Sequence, residues 1–357
     1  MQMECPGRKT FQADVNACAM GAFDFDAFRN ATFFVTGATG LVGGAVVRAL
    51  LAANRLRSMN ARILAPVRSL EKAKKVFGEA YERKDVRFFE CDLNAPAEIY
   101  EPVDFIVHAA SVTQSKLFVT QPVETIEAAV LSTMNVLALA KEKAVRGMVY
   151  LSSMEAFGVT DPELEYVTEK DLGYVNPQAV RSCYPESKRM AENLCAAYAS
   201  EYAVPVRAAR LAQTFGAGVG AADTRAFMQF ASSALANRDI VLHTKGESYG
   251  NYVYLKDAVD AILLLLTKGE NGDVYTVSNN RACVQIRELA KIAADTLSDP
   301  PVGITFDIPG DQMKYGYAPD VKMHLSNAKL CSLGWKPTVD LPEMFLKMAE
   351  DLKDQEL

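Results

Sequence analysis

Up to about residue 30 the apolar positions keep no sustained period; Pro6, Gly7 and Gly21 interrupt them, and they end in the aromatic and acidic stretch Phe23-Asp24-Phe25-Asp26. From Thr32 the texture changes, and short, almost wholly apolar runs alternate with amphipathic stretches of helical length. A strand covered on both faces needs apolar side chains throughout, whereas a helix lying on a sheet needs them on one side. The alternation is therefore what the βαβ units of a parallel sheet require. It predicts strands at Thr32 to Thr36, Arg62 to Val67, Val86 to Glu90, Val103 to His108, Gly147 to Ser152 and Val204 to Arg210. Helices are predicted over Leu41 to Ala53, Pro122 to Lys143 and Pro185 to Tyr202.

Residues 31–214 thus read as a doubly wound parallel sheet, and residues 1–30 as an extension that docks on it. Beyond Phe215 the rhythm weakens into Gly216, Gly218 and Gly220, a helix from Arg225 to Ala236, and the stretch Gly246 to Tyr254. A smaller α/β lobe is expected from 215–254 and 278–357, closing in a helix from Leu341 to Leu352. Between its two parts, residues from about 255 to 277 return to the sheet domain, led by a helix from Asp257 to Leu266.

Composition narrows the partners. Half of the 357 residues are hydrophobic and 23% are charged, which suits an ordinary globular core. The net charge is −6 with no long Lys/Arg block, so nucleic acid is not expected as a partner. Lys72, Lys74 and Lys75 read as a solvated helix face, compatible with one small phosphorylated molecule. Seven scattered cysteines without a CxxC pair argue against a disulfide framework or structural zinc. His108, His243 and His324 lie far apart, so no metal site is expected. The longest apolar stretch, around Ala258 to Leu266, is short for a bilayer and is broken by Asp260, and no basic-then-apolar leader pattern opens the chain. The expectation is a cytoplasmic protein without a membrane partner.

The first strand runs into Thr36-Gly37-Ala38-Thr39-Gly40-Leu41-Val42-Gly43-Gly44 and then a helix. Glycine permits positive φ and close backbone approach, and a helix N-terminus favours an anion, so this turn suits a dinucleotide pyrophosphate. Its candidate contacts are Gly37, Thr39, Gly40, Leu41, Val42 and Gly43. The second strand ends Ala65-Pro66-Val67-Arg68-Ser69, without the acid that usually meets the adenosine ribose. Arg68 would pair with a 2′-phosphate, favouring NADP, or stack on adenine with either cofactor, so NAD and NADP both stay open. Asp92, with Leu93 beside it, is a candidate for the adenine amino group.

Tyr184-Pro185-Glu186-Ser187-Lys188 puts a phenol and an ammonium on one helix face four residues apart. The ammonium favours the phenolate, which can accept a proton. Ser152 and Ser153, at the end of the fifth strand, supply a hydroxyl to hold a substrate oxygen beside it.

The set TGATGLVGG, His108-Ala109-Ala110-Ser111, YLSSMEAFG and YPESK resembles the extended short-chain dehydrogenase/reductase family over roughly residues 31 to 350, particularly its nucleotide-sugar epimerases, dehydratases and decarboxylases. The resemblance implies a Rossmann sheet, a catalytic set Ser153, Tyr184 and Lys188 with the lysine also on the cofactor ribose, and cofactor contacts at Ala109, Ala110 and Ser111. His108 is then expected to position backbone near the nicotinamide, and Trp335 to pack. Asn176-Pro177, Arg181-Ser182-Cys183-Tyr184 and Lys188-Arg189-Met190-Ala191-Glu192 look especially like the UDP-glucuronate decarboxylases. Glu155 falls where those enzymes and the 4,6-dehydratases place a catalytic glutamate, while Met154 stands where the dehydratases have an aspartic acid.

Substrate contacts are implied at Ser111, Thr113, Arg181, Gln213 and Arg225. Gln213 stands for a usual asparagine and Gly250 for a usual arginine, with Arg225 or Lys245 as replacement cations; Lys322 is the nearest candidate for a decarboxylase-type arginine. The implied function is NAD(P)-dependent modification of a nucleotide sugar or related phosphorylated small molecule through a 4-keto intermediate, ending in decarboxylation, dehydration or epimerisation, with Glu155 as an additional acid/base. The alternatives are an NADP-dependent reductase of a small carbonyl compound and a non-catalytic dinucleotide-binding protein. A homodimer through the segments Pro122 to Lys143 and Pro185 to Tyr202 is also implied.

Overall fold

The computed structural model describes residues 3–21, 25–308 and 321–355. Phe23 and Asp24 of the aromatic and acidic stretch, and residues 309–320 of the expected lobe, lie outside the described residues.

Within the N-terminal stretch, Lys9–Ala19 is a helix, α1. Its inward face carries Phe11, Val15, Cys18 and Ala19 at helical spacing, but also Gln12 and Asp14, and these two polar residues hide the period in the sequence. Both are partnered inside. Gln12 donates to Glu4 at 2.8 Å, and Asp14 accepts from the Tyr254 hydroxyl and from Lys347 at 2.9 Å. Glu4, fully buried, pairs with Arg55 and Arg83 at 2.7 Å each.

The main body alternates as expected: β1 (Thr32–Thr36), α2 (Leu41–Arg57), β2 (Arg62–Val67), α3 (Leu70–Phe77), β3 (Val86–Glu90), β4 (Phe105–His108), α4 (Leu117–Thr120), α5 (Pro122–Glu142), β5 (Gly147–Ser153), α6 (Cys183–Tyr202) and β6 (Val206–Leu211). β6 starts after Val204 because Pro205 brings no N–H to the ladder, and pairing opens at Met148 with Val206. There follow β7 (Gln213–Phe215), α7 (Ala226–Leu235), β8 (Ile240–Leu242), β9 (Tyr249–Tyr254), α8 (Leu255–Leu265), β10 (Val274–Val277), β11 (Cys283–Gln285), α9 (Ile286–Leu297), β12 (Ile304–Phe306), α10 (Ala328–Ser332) and α11 (Leu341–Gln355).

The seven-stranded sheet has the order β10-β6-β5-β4-β1-β2-β3, and every pair in it is parallel. One face is covered by α2 and α8, with Val46, Leu50 and Ile262 in its core and α1 packed over both helices; α5 and α6 cover the other over Ile106, Met148 and Tyr150. The strand order reverses between β1 and β4, and a doubly wound sheet opens its ligand crevice at the carboxyl ends of the strands there. β7, β9 and β11 form a second, three-stranded sheet, which packs with α7, α9 and α11 around Phe215, Phe227, Tyr252 and Phe345. Trp335 is buried and donates to the Asp257 carbonyl at 2.9 Å, fixing the tail to α8.

By length and composition α5 is apolar enough to cross a bilayer, and 44% of its apolar window is buried. A search for an unbroken apolar run passes over it because Glu124 and Glu127 interrupt its first turns. Its inner face packs on the sheet, while Val123, Ile126, Leu131 and Met134 remain exposed.

Candidate active site

The β1–α2 turn is shaped by two close approaches. Gly37 has φ +66, and a Cβ there would lie 2.6 Å from the Ala109 carbonyl; one on Gly43 would lie 2.4 Å from the Gly37 oxygen. The turn therefore packs directly on the end of β4. Gly40 caps α2 without a side chain, so the N–H groups of Leu41, Val42 and Gly43 open outward at the helix start, where they suit an anion. Thr39 lies half-buried on the same turn.

Behind the turn, the Thr36 hydroxyl accepts from the N–H groups of Ala109 and Ala110 at 3.0 Å each, so its own proton goes to His108 Nδ1 at 2.8 Å. His108 Nε2 then donates toward Thr133 Oγ1 at 3.2 Å. Burial, followed by the charge of Lys188, pushes the imidazole down to about 3, so it is neutral and holds backbone in place.

Arg68 is exposed at the carboxyl end of β2, next to β1. Asp92 is exposed just past β3, its carboxylate accepting from the Asn94 N–H at 3.0 Å, and the Leu93 carbonyl accepts from Asn135 on α5 at 2.9 Å. The cradle that a Cβ would fill, the open helix start and the buried Lys188 together fit a dinucleotide.

β5 ends in Ser153, and α6 starts one residue before Tyr184, which brings Tyr184 and Lys188 over the end of the sheet. Lys188 is 2% exposed and donates to the Leu151 carbonyl at 2.7 Å, leaving its other two N–H groups for ligand. Its Nζ is 4.8 Å from the Tyr150 ring centre and 5.8 Å from that of Tyr184. Burial pushes the Lys188 ammonium down to about 8, although the Glu192 charge opposes this. Burial also raises the Tyr184 phenol, the Glu155 charge adds to the rise, and a hydrogen bond with Ser153 and the Arg181 charge counter it. The phenol ring stacks on Phe118 at 4.2 Å between centroids.

The two serines separate. Ser152 points into the core and donates to Glu192 Oε1 at 2.5 Å, while Arg210 grips both Glu192 oxygens at 2.9 and 2.7 Å. Ser153 is the one beside the phenol. Sequence reasoning gives no role to Phe118 or Arg210, and Glu192 enters only within the Lys188–Glu192 motif; its place four residues after Lys188 is the signal that would put both on one helix face.

Glu155 and Arg181 face each other. The Glu155 N–H donates to Ser153 Oγ at 3.2 Å, and its carboxylate receives Arg181 Nη1 and Nη2 at 2.8 and 3.2 Å. Arg225 is turned onto its own loop, bound to Asp223 at 2.6 Å and to the Thr214 carbonyl at 2.9 Å. Gln213 is exposed on β7 opposite Tyr252, Ser111 donates to the Val112 carbonyl at 3.3 Å, and Thr113, Lys245 and Lys322 are exposed. A side chain at position 250 would have to displace the Tyr252 ring, because a Cβ there would lie 2.3 Å from the Tyr252 hydroxyl. No cluster of metal-ligating side chains occurs among the described residues.

The family model described as the NAD dependent epimerase/dehydratase family matches residues 33–278. UDP-glucuronic acid decarboxylase 1 of Xenopus tropicalis is 31% identical over 69% of this chain, and the match spans 56% of that protein's own length. UDP-glucuronic acid decarboxylase 6 of Arabidopsis thaliana is 29% identical over 91% of this chain and 92% of its own. In fold, the chain is similar to the UDP-glucose 4-epimerase of Thermotoga maritima solved with UDP-glucose, at a TM-score of 0.74, 18% identity, and coverage of 91% of this chain and 100% of that one. It is likewise similar to the dTDP-glucose 4,6-dehydratase of Streptomyces venezuelae solved with NAD, at a TM-score of 0.73, 22% identity, and coverage of 91% and 98%.

Proposed function

The chain belongs to the NAD-dependent epimerase/dehydratase family, and from that premise we propose that it oxidises a nucleotide-linked uronic acid at C4 and decarboxylates it. The observation that carries the reading is the placement of Tyr184 and Lys188 over Ser153 at the carboxyl end of the central strand β5, at the same end of the sheet as the glycine turn. Bound on that turn, the dinucleotide would accept hydride from the sugar's C4 and give it back to the C4 ketone after carbon dioxide has left, so that the net change is loss of carbon dioxide alone.

Ser153 orients the C4 hydroxyl and Tyr184 takes its proton. Lys188 stabilises the phenolate and, with two N–H groups left over, holds the ribose. Oxidation at C4 turns a uronic acid into a β-keto acid, which loses carbon dioxide as the C5–C6 electron pair moves into an enolate. Glu155 then manages the proton that C5 must receive. Met154 offers no proton for a departing C6 hydroxyl, which favours decarboxylation over dehydration, and the two decarboxylase relatives support the same choice.

The protein with NAD+ and UDP-glucuronate should yield a product 44 mass units lighter by mass spectrometry. Loss of 18 units from a UDP- or dTDP-hexose, or a changed retention time at equal mass, would replace this reading with dehydration or epimerisation. Arg68, where an acid usually stands, favours a second reading as an NADP-dependent reductase. A protein that purifies with tightly held dinucleotide and turns over without added cofactor would reject that alternative. The exposed apolar residues of α5, with Met190 on α6, support a homodimer.

A further inference from the structure

Arg181 lies in a short turn (Val180–Ser182) that leads into α6, and Glu155 in the turn (Met154–Phe157) that follows β5. Their paired contacts make a fork-to-fork ion pair, and their side chains are 17% and 26% exposed, so the pair is covered but reachable from solvent. It belongs to the reacting centre on two counts. Glu155 is tied through its N–H to Ser153 Oγ, and the Arg181 guanidinium lies 5.7 Å from the ring of Phe118, on which Tyr184 stacks.

A guanidinium can exchange one carboxylate for another with its own pairing preserved, the released carboxylate, 26% exposed, being left to solvent; it cannot make the same exchange with a neutral hydroxymethyl group. We infer that Arg181 and Glu155 form a carboxylate-exchange gate, in which the substrate's own C6 carboxylate takes over Arg181 and releases Glu155 beside Ser153 and Tyr184. The inference rests on the uronic acid reading above and deepens it. A uronic acid both pays the pairing of Arg181 and arms Glu155, whereas a neutral hexose leaves Glu155 held. No bond is made or broken in the exchange.

The gate makes a prediction of unusual sign. Removing the Glu155 charge takes away a competing carboxylate at Arg181, so uronate binding tightens while turnover falls. A pair that only braced the fold would lose stability and affinity together.

The test is calorimetric titration of the NADH-saturated protein, which cannot oxidise C4, with UDP-glucuronate and UDP-glucose. Wild type should prefer UDP-glucuronate by about tenfold or more, and Glu155→Gln should raise its affinity for UDP-glucuronate about three- to tenfold with UDP-glucose unchanged. Arg181→Met should erase the preference. Should that variant fail to fold, Arg181→Lys, which keeps the charge but loses the fork, should still reduce the preference. Failure of wild type to bind UDP-glucuronate overturns the uronic acid reading and the gate with it. Wild-type binding and turnover of UDP-glucuronate, together with unchanged or weaker binding in Glu155→Gln, overturns the gate alone.

Discussion

Tyr184 and Lys188 are both buried, and burial acts on them in opposite directions, raising the phenol and lowering the ammonium. Tyr184→Phe removes the proton acceptor and leaves the stacking on Phe118, so kcat should fall by about 10²–10⁴-fold in steady-state assays with substrate affinity little changed. On the proposed mechanism the charged form of Lys188 is the active one, and it is lost as pH rises through its folded value of about 8. Activity should therefore fall on the alkaline side of that value. Glu192 favours the ammonium, so Glu192→Gln should move the alkaline limb to lower pH, as a kcat/KM profile would register. His108 is held near 3 against an unfolded value of 6.5, so the unfolded chain binds more protons between those values. The neutral imidazole's stabilising contribution is complete above about 6.5 and drains at about 1.4 kcal/mol per pH unit as pH falls toward 3. His108→Gln should flatten that acid limb in denaturant unfolding measured against pH.

The elements carry their own consequences. The β1–α2 turn needs its bare backbone where it meets itself, since a Cβ on Gly43 would press on the Gly37 oxygen at 2.4 Å. Gly43→Ala should reduce NAD+ affinity by about tenfold or more, measured by titration, because the turn must open to admit the methyl group. α1 is held by buried charge as much as by apolar contact. Glu4 faces Arg55 and Arg83 with no exposure of its own, so Glu4→Gln takes one carboxylate partner from each, leaving Arg83 with Asp85 and Arg55 with Asn16, and should cost about 2 kcal/mol in urea unfolding. Six strands of the main sheet and the helices that cover it could be read from periodicity because each satisfies its pattern locally, whereas β10, the seventh strand, and α9 were not read. α1 could not be read, since Gln12 and Asp14 on its buried face are tolerable only through partners at Glu4, Tyr254 and Lys347.

For the molecule as a whole, the open question is what meets the outer face of α5. Val123, Ile126, Leu131 and Met134 stand exposed along it while its other side is committed to the sheet. A second copy of the chain would bury them, and light scattering at micromolar concentration should give twice the 39.0 kDa chain mass. Leu131→Glu together with Met134→Glu should shift that mass to the monomer value with little loss of secondary structure by circular dichroism.

What the sequence determined by itself was whatever depends on neighbours along the chain: the alternation that makes a parallel sheet, the glycines of its first turn, and the four-residue spacing of Tyr184 and Lys188. The tertiary structure decided the encounters between distant segments. It sent Ser152 inward to Glu192 and left Ser153 at the phenol, and it set Glu155 against Arg181. The physical reason is that charge and hydrogen bonding are settled by whichever partner burial brings within about 3 Å, and that partner can stand anywhere in the sequence.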